Sequence, residues 1–404
     1  MRVLKTALVV SLIAVGLSAQ PSGQSGAKQY VPPAAGQGHS QAVGVGGFVY
    51  VAGMMATDVT GDIAAQTTQI FQNLRGVLQQ AGSSVDNIVV ATVTLEQAGD
   101  IAAMDAVYRA QFKSDPPART VYIGNMVRPG ALVEIWVTAV PNGASRSAIN
   151  PPGWMKPTAH SWAIQSGDTL FLSGMVGANM ADLTPVRGDV PTQVRKAMDN
   201  AVELLKAAGM TLNETVSARN VISQRVADFG VMNQAYAPYW TVKDWSARGP
   251  GVPGRPGRAT VGLDNPPGFD FQTTFIAVKG AAPREVVVAP TADGGPGEQG
   301  PWYPSGITVG NRMWVSGTTG GQVRPIKAHI QNNINSLVRF MKASGFDLTH
   351  VVAVEVWLTN VRHLPVLDEV FRETFPKNPP VRKVVGVDSL GGTSMSEIAF
   401  IAVR

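Results

Sequence analysis

Pro-Pro-Ala-Arg-Thr-Val-Tyr at 116–122, followed by Ala-Leu-Val-Glu-Ile-Trp-Val-Thr-Ala-Val at 131–140, is a pattern that decides the fold because the chain repeats it. Its two charged residues are Arg119 and Glu134, fifteen positions apart. Both lie in runs rich in Val, Ile and Thr, which are typical of β-strands.

The same pattern returns twice further along the chain. Near the end, Arg382 precedes Glu397, again by fifteen positions, and each lies in a similar apolar run. In the middle copy Arg258 is kept, but the Glu position is occupied by Gln272. Self-similarity of this kind predicts three copies of one structural unit, with an Arg and a carboxylate as its recurring polar parts.

The elements around the pattern also recur in a fixed order. Unit one begins with a short strand at 48–53 that Gly ends, followed by an amphipathic helix at 62–80. A Val- and Thr-rich strand at 87–96 and a second helix at 99–112 come next, and the Arg and Glu strands, predicted to form a hairpin, close the unit. Units two and three repeat this order, with first strands at 169–174 and 312–317, central strands at 215–224 and 351–359, and second helices at 229–240 and 366–375.

A chain of 404 residues suits two to four domains rather than one. The repeats place three domains at 37–142, 146–280 and 283–404, after a flexible lead-in at 20–36 that is rich in Gln, Ser, Gly and Pro. The middle unit is longer than the others, largely because of a Gly/Pro/Arg-rich insertion at 246–257.

The first nineteen residues differ from the rest of the chain. Arg2 and Lys5 precede an apolar run at 7–17, and Ser18 and Ala19 follow it. This is the pattern of a secretory signal, and the run is too short to span a bilayer. It predicts export to a periplasm or to the medium, and no membrane association once 1–19 is removed. A buried first strand or helix is the alternative.

Composition excludes several kinds of chemistry. The chain has no Cys, so disulfides, cysteine nucleophiles and thiolate metal sites are ruled out. The formal charge of +5 falls to +3 without Arg2 and Lys5, and no Lys/Arg-rich run occurs, so nucleic-acid binding gains little support. The five His show no metal-ligand spacing, and we expect neither a metal nor a cofactor.

The three units resemble the RidA-like family, the reactive intermediate deaminases also called YjgF or endoribonuclease L-PSP proteins. The resemblance rests on the strand ending in Ser/Ala-Gly, the helix ending in Ala-Gly, and the Arg strand with its later Glu before a terminal Ile-Ala-Val. A further motif is Met/Leu-Asn/Asp-x-x-Tyr/Phe on the second helix, at 104–108, 232–236 and 367–371.

The resemblance implies an α+β fold of chorismate-mutase type, with each unit a mixed sheet carrying two helices on one face. Family members assemble as trimers with active sites in clefts between neighbours. Three fused units would therefore form an intramolecular pseudo-trimer, and we expect the chain to be a monomer. A threefold arrangement would also cover the open face and edges of each sheet.

The family reaction is hydrolysis of a 2-imino acid, or its enamine tautomer, to a 2-keto acid and ammonia. The resemblance assigns the Arg to the substrate carboxylate and the Glu to the attacking water. It implies catalytic roles for Glu134 and Glu397 and makes this chain a hydrolase. It implies substrate-binding roles for Arg119, Arg258, Arg382, Asn233 and Tyr303, and for His39 and His160, which replace the family Tyr in units one and two.

Counted unit by unit, unit three keeps the most family residues, with Tyr303, Arg382 and Glu397. Unit two looks degenerate because the amide of Gln272 cannot act as a base. This count predicts that Arg382→Ala removes most of the activity and that Arg258→Ala matters less.

Three alternatives stay open on the sequence. The Arg/Glu pairs can be cross-strand ion pairs without a ligand. The chain can be an inactive small-carboxylate-binding or scaffold protein that retains the fold, as Gln272, Asp105, Asp368 and the two His favour. A ribonuclease is a third reading, disfavoured by the weak charge.

Overall fold

The computed structural model describes residues 26–226, 228–240, 255–280, 282–295, 297 and 302–404. The predicted signal at 1–19 and the part of the insertion at 246–254 lie outside these residues.

Three units of the same construction follow one another along the chain. The first contains β1 (Gln29–Val31), β2 (Ala42–Val45), β3 (Phe48–Val51), β4 (Met54–Met55), α1 (Ile63–Gln80), β5 (Ile88–Leu95), α2 (Ile101–Arg109), β6 (Ala118–Ile123) and β7 (Val133–Ala139). The second contains β8 (Ser147–Ile149), β9 (Ala163–Ser166), β10 (Thr169–Leu172), β11 (Met175–Val176), α3 (Val190–Ala207), β12 (Thr215–Ile222), α4 (Phe229–Tyr236), β13 (Gly257–Gly262) and β14 (Phe271–Val278). The third contains β15 (Arg284–Val287), β16 (Gly306–Val309), β17 (Arg312–Val315), β18 (Thr318–Thr319), α5 (Ile326–Lys342), β19 (Val351–Leu358), α6 (Leu364–Thr374), β20 (Val381–Gly386) and β21 (Ser396–Val403).

Each unit is one seven-stranded mixed sheet with two helices, so the predicted fold class of three tandem α+β units is confirmed. In unit one the strand order is β1-β2-β3-β7-β5-β6, with β4 also pairing with β7, and the other two sheets repeat it. The first helix of unit one, predicted at 62–80, spans Ile63–Gln80. The Asp62 side chain accepts from the Ala65 N–H at the start of α1, and Gly82 adopts a positive φ just beyond its end.

The predicted hairpin between the Arg strand and the Glu strand is wrong. β6 pairs in parallel with β5, and β7 pairs antiparallel with the other side of β5, so one strand separates Arg119 from Glu134. The same order separates Arg382 from Glu397. A crossover through α2 brings β6 back alongside β5, which a short turn would not allow. The predicted lead-in is also wrong at Gln29–Val31, which pairs with Ala42–Gly44 as a strand.

Each sheet has one face under its own helices and the other against its neighbours. Three apolar clusters each join the helices and sheet of one unit. Two further clusters draw residues from all three units, among them Phe48, Phe171 and Trp314 in one and Tyr122, Val261 and Trp357 in the other. The apolar residues that alternate along the strands therefore form two layers of core, only one of which belongs to a single unit.

Hydrogen bonds between units run in a closed cycle. The Gly174 N–H of unit two donates to the Arg119 carbonyl of unit one, and the Gly317 N–H of unit three donates to the Arg258 carbonyl of unit two. The Gly53 N–H of unit one donates in turn to the Arg382 carbonyl of unit three. The Arg strand of every unit is thus held against the first strand of the next unit, at its terminal Gly.

A buried ion triad lies where the three sheets face each other. The Arg219 guanidinium contacts Glu355 at 2.8 Å, and the Lys383 ammonium contacts the other oxygen of Glu355 at 3.2 Å. Lys383 also lies over the rings of Trp136 and Trp357, 4.6 and 5.6 Å from their centroids. These five side chains line a cavity of about 60 Å³. No sequence pattern predicts this triad; its members are visible in the sequence only as charged residues inside apolar strands.

We expect Glu355→Gln to destabilise the fold strongly, because it leaves two buried cations without their shared carboxylate. Breaking a buried pair in this way costs about 3–5 kcal/mol. The midpoint of guanidinium-chloride unfolding measures the effect. The matched control is Glu369→Gln, which removes one of two carboxylates on the exposed Lys327 and should leave the midpoint nearly unchanged. Equal midpoints for the two variants would contradict the expectation.

Candidate functional site

The second helix of each unit holds the Arg of the same unit. Asn233 and Tyr236 lie one turn apart on α4 and so share a face. The Asn233 Oδ1 accepts from the Arg258 guanidinium at 2.7 Å, and the guanidinium lies 5.4 Å from the centroid of the Tyr236 ring. The Asn or Asp and the aromatic ring of the Met/Leu-Asn/Asp-x-x-Tyr/Phe motif therefore position the Arg side chain, a role that the sequence pattern did not reveal.

In the other two units the same motif positions the Arg side chain, but the partner of the guanidinium is a charged Asp. Arg119 bonds to Asp105 at 2.5 Å and stacks on Tyr108, 4.8 Å from the ring centroid. Arg382 forms an ion pair with Asp368 and stacks on Phe371. The Asp residues thus neutralise the Arg side chains directly. Arg258 has a neutral amide in their place.

The Glu or Gln of each unit faces the Arg of the preceding unit, not its own. A Cβ at Gly317 would collide with both Glu397 and Ala259, the residue after Arg258. Burial raises the pKa of Glu397 to about 7, and the nearby Arg219, the Thr260 backbone N–H and Arg258 oppose this rise. Arg258 and Thr260 belong to the unit-two strand, so Glu397 lies at the boundary between units two and three.

The remaining residue of this cleft is Tyr303. Its ring lies against the Arg258 guanidinium, 4.8 Å from centroid to Cζ, and Tyr303 also lies near Glu397. Burial raises the pKa of Tyr303, and so does the Glu397 charge. Units two and three therefore build one cleft, which we call the Arg258 cleft, from Asn233 and Arg258 of unit two and Tyr303 and Glu397 of unit three.

The grouping predicted from the sequence, with Arg382, Tyr303 and Glu397 in one site, is wrong. Arg382 instead lies near Glu134 and His39 of unit one. The count by units failed because each cleft takes its Arg from one unit and its Glu from the next. Unit two, which looked degenerate at Gln272, supplies half of the cleft that keeps all four family residue types.

We call the cleft between units three and one the Arg382 cleft. Burial raises the pKa of Glu134 to about 7, against the effect of Lys383, the Val384 backbone N–H and Arg382. Burial lowers the pKa of His39 to about 3, and the Arg382 charge adds to this, so His39 is neutral. Within the described part of the chain, its buried Nδ1 atom has no hydrogen-bond partner, and neither have two nitrogens of Arg382.

We call the cleft between units one and two the Arg119 cleft. Gln272 faces it, since a Cβ at Gly174 would collide with the Gln272 amide and Gly174 is bonded to the Arg119 carbonyl. Burial and the Arg119 charge together lower the pKa of His160 to about 3. The three clefts thus have corresponding residues at matching positions, and they differ in which of those residues carry a charge.

The alternative of simple cross-strand ion pairs does not describe these residues. Among the described residues, Arg119 is paired with Asp105 rather than Glu134, and Arg382 with Asp368 rather than Glu397. No three His, Cys, Asp or Glu side chains within the described ranges come together as a metal site requires. The same ranges contain no helix that is both long and apolar enough to cross a membrane.

The described residues define a protein of three fused α+β units, with one candidate cleft at each boundary between units. The sequence profile of the family described as Endoribonuclease L-PSP matches the chain three times, at 30–141, 155–278 and 296–404. The chain therefore belongs to the endoribonuclease L-PSP family, as its resemblance to RidA-like proteins predicted.

Similar proteins each match about one unit. A RutC family protein of Pyrococcus abyssi is 35% identical over 103 residues, covering 24% of this chain and 81% of that protein. A 2-iminobutanoate/2-iminopropanoate deaminase of Dermatophagoides farinae is 30% identical over 129 residues, covering 30% and 98%. Yeast Mmf1 is a similar solved structure, 33% identical with a TM-score of 0.26, covering 28% of this chain and 94% of that one.

Proposed function

We propose that the Arg258 cleft hydrolyses 2-imino acids, or their enamine tautomers, to 2-keto acids and ammonia. The observation that carries this proposal is that the buried Asn233, Arg258 and Glu397 meet the half-buried Tyr303 in one cleft, where the Arg has a neutral partner. Similar proteins described as 2-iminobutanoate/2-iminopropanoate deaminases support it.

Arg258 would bind the substrate carboxylate. Among the described residues, its buried Nε atom has no hydrogen-bond partner and Asn233 occupies only one other nitrogen. A planar guanidinium donates two parallel bonds to a carboxylate, and each charge-assisted bond contributes about 1.5–3 kcal/mol. The charge of Arg258 is available for this because Asn233 does not neutralise it, whereas Asp105 and Asp368 neutralise Arg119 and Arg382.

Glu397 would serve the attacking water. The ionised carboxylate takes one proton while the water oxygen bonds to the imine carbon. That proton and the remaining proton of the new hydroxyl then pass to the nitrogen, so that ammonia leaves as the C–N bond breaks and the C=O bond forms. A base whose pKa is near the working pH suits both proton transfers. The water supplies the oxygen of the keto acid, so no cofactor enters the balance.

The experiment that tests the proposal is an imine-loss assay. An amino-acid oxidase generates 2-iminopropanoate from alanine in situ, and imine loss is followed with and without the protein. We expect the wild-type protein to accelerate the loss. No acceleration over the uncatalysed rate would contradict deamination of this substrate and leave the alternative, an inactive small-carboxylate-binding protein.

The pH dependence of this activity should follow Glu397. Because burial raises its pKa to about 7, the carboxyl is protonated below that pH and cannot take a proton from water. The enzyme-catalysed rate, corrected for the uncatalysed rate at each pH, should therefore rise as the pH increases through about 7. Glu134→Gln should keep this profile, since Glu134 belongs to the Arg382 cleft. A rate that falls across the same range would contradict a base role for Glu397.

We also propose that the chain works as an exported monomer, an intramolecular pseudo-trimer. The cycle of hydrogen bonds from the N–H groups of Gly53, Gly174 and Gly317 to the Arg carbonyls supports the assembly, and the signal pattern at 1–19 supports export. Light scattering should give the mass of one chain, and a mass near three chains would contradict a self-contained monomer. Cell fractionation tests the export. Ribonuclease activity gains no support from the weak charge.

A further inference from the structure

The Arg119 cleft lacks the group that the proposed hydrolysis needs. Gln272 occupies the position that Glu397 holds in the Arg258 cleft, and an amide is not a base at neutral pH. The rest of the cleft is nevertheless kept. The Arg119 guanidinium stacks on the Tyr108 ring, and the Gly174 N–H donates a hydrogen bond to the Arg119 carbonyl. A cleft that keeps these contacts but has no base to activate water is suited to binding a ligand without reacting with it.

Among the described residues, the charges of this cleft form one pair, Arg119 and Asp105. The Arg119 side chain is 5% exposed and its Nη1 bonds to the Asp105 Oδ1, while Asp105 is 31% exposed. The other two guanidinium nitrogens of Arg119 make no hydrogen bond to any described residue. An anion alone would meet the Asp105 carboxylate beside the guanidinium, so the pair disfavours a ligand with only a negative charge.

Gln272 adds an acceptor without a donor. The residue is 4% exposed, and its Oε1 is buried with no hydrogen-bond partner among the described residues. A buried acceptor that receives no hydrogen bond lowers the stability of the fold unless a ligand or another group donates to it. The amide lies against Gly174, which holds it next to the strand of Arg119. His160 is half-buried, and its lowered pKa keeps it neutral, so it adds no charge to the cleft.

We propose that the Arg119 cleft binds a free 2-amino acid as its zwitterion. The carboxylate would lie on the open side of Arg119, and the ammonium would donate to Asp105 and to the Gln272 Oε1. An ammonium offers three donors, and a zwitterion matches a cleft whose own charges sum to zero. The ligand class thus differs from the anion proposed for the Arg258 cleft, and the proposal does not depend on deamination.

Three ligands with related carbon skeletons separate the charge requirements. Alanine carries both charges, pyruvate only the carboxylate, and ethylamine only the ammonium. Isothermal titration of the full-length mature protein should show alanine binding, with ethylamine weaker by about tenfold or more, since each lost charge-assisted bond has that effect. Pyruvate should bind only through Arg258, so in the Arg258→Ala protein alanine should bind and pyruvate should not. No binding of alanine by the wild-type protein would overturn the proposal.

Asp105→Asn assigns the binding to this cleft. Asn is the residue at the matching position 233, so the fold should tolerate the change, and a melting temperature checks it. We expect the variant to lose one equivalent of bound alanine and to gain pyruvate binding at Arg119. Asp368→Asn, the same change in the Arg382 cleft, should leave the equivalent at Arg119 in place. Unchanged alanine stoichiometry in Asp105→Asn would contradict the proposal, whether or not the protein hydrolyses imines.

Discussion

Arg258→Ala should reduce the catalysed loss of 2-iminopropanoate by about 100-fold or more in kcat/KM. Two charge-assisted bonds to the carboxylate are lost together, each contributing about 1.5–3 kcal/mol, and about 1.4 kcal/mol corresponds to a factor of ten. The residue is buried, and among the described residues its Nε has no hydrogen-bond partner, so this donor is available to the carboxylate. The imine-loss assay under oxidase turnover measures the change.

The matched control is Arg382→Ala, which removes the equivalent side chain from the Arg382 cleft. Because Arg382 lies with Glu134 and His39 and not with Tyr303 and Glu397, this variant should keep most of the activity. The residue count by units predicts the opposite order. Loss of activity in Arg382→Ala with retention in Arg258→Ala would therefore return the working site to the Arg382 cleft.

Glu397→Gln should have the second large effect, lowering kcat by about 10²–10⁴-fold, the usual contribution of a positioned general base. The change should not disturb the fold, because the chain already carries an amide at the equivalent Gln272, packed against Gly174 in the same way. If Glu397 acts only on the water, KM should change little, since Arg258 still holds the carboxylate.

Glu134→Gln is its control, since the Glu134 carboxyl is equally buried and has a similarly raised pKa. We expect this variant to retain the wild-type rate. If Glu397→Gln is as active as the wild type, another group handles the water. If both Glu variants lose activity, the Arg258 and Arg382 clefts both contribute to catalysis.

The strands and helices of this chain could be predicted from the sequence because their signals are local. The apolar face of α1 and the Val- and Thr-rich β5 carry the periods of a helix and a strand within a few residues, and Gly82 marks the end of the helix. The position of β6 could not be predicted this way. Its short distance from β7 along the chain suggested a hairpin, whereas α2 and the parallel pairing with β5 decide its place.

The residue types of the site were predictable, but their grouping was not. Recurrence singled out the Arg and Glu positions, and the resemblance added Asn233 and Tyr303. Which of these meet depends on contacts between units, such as the bond from Gly317 to the Arg258 carbonyl, and no local pattern encodes such contacts. The Arg219–Glu355–Lys383 triad escaped prediction for the same reason, since its members come from two units.

The most direct test of the central claim is a crystal structure of the protein soaked with pyruvate, the product of 2-iminopropanoate hydrolysis. The claim is that the working site joins units two and three. It predicts pyruvate in the Arg258 cleft, with its carboxylate on the Arg258 guanidinium and its carbonyl toward Glu397. Pyruvate bound at Arg382 or Arg119 with the Arg258 cleft empty would contradict it.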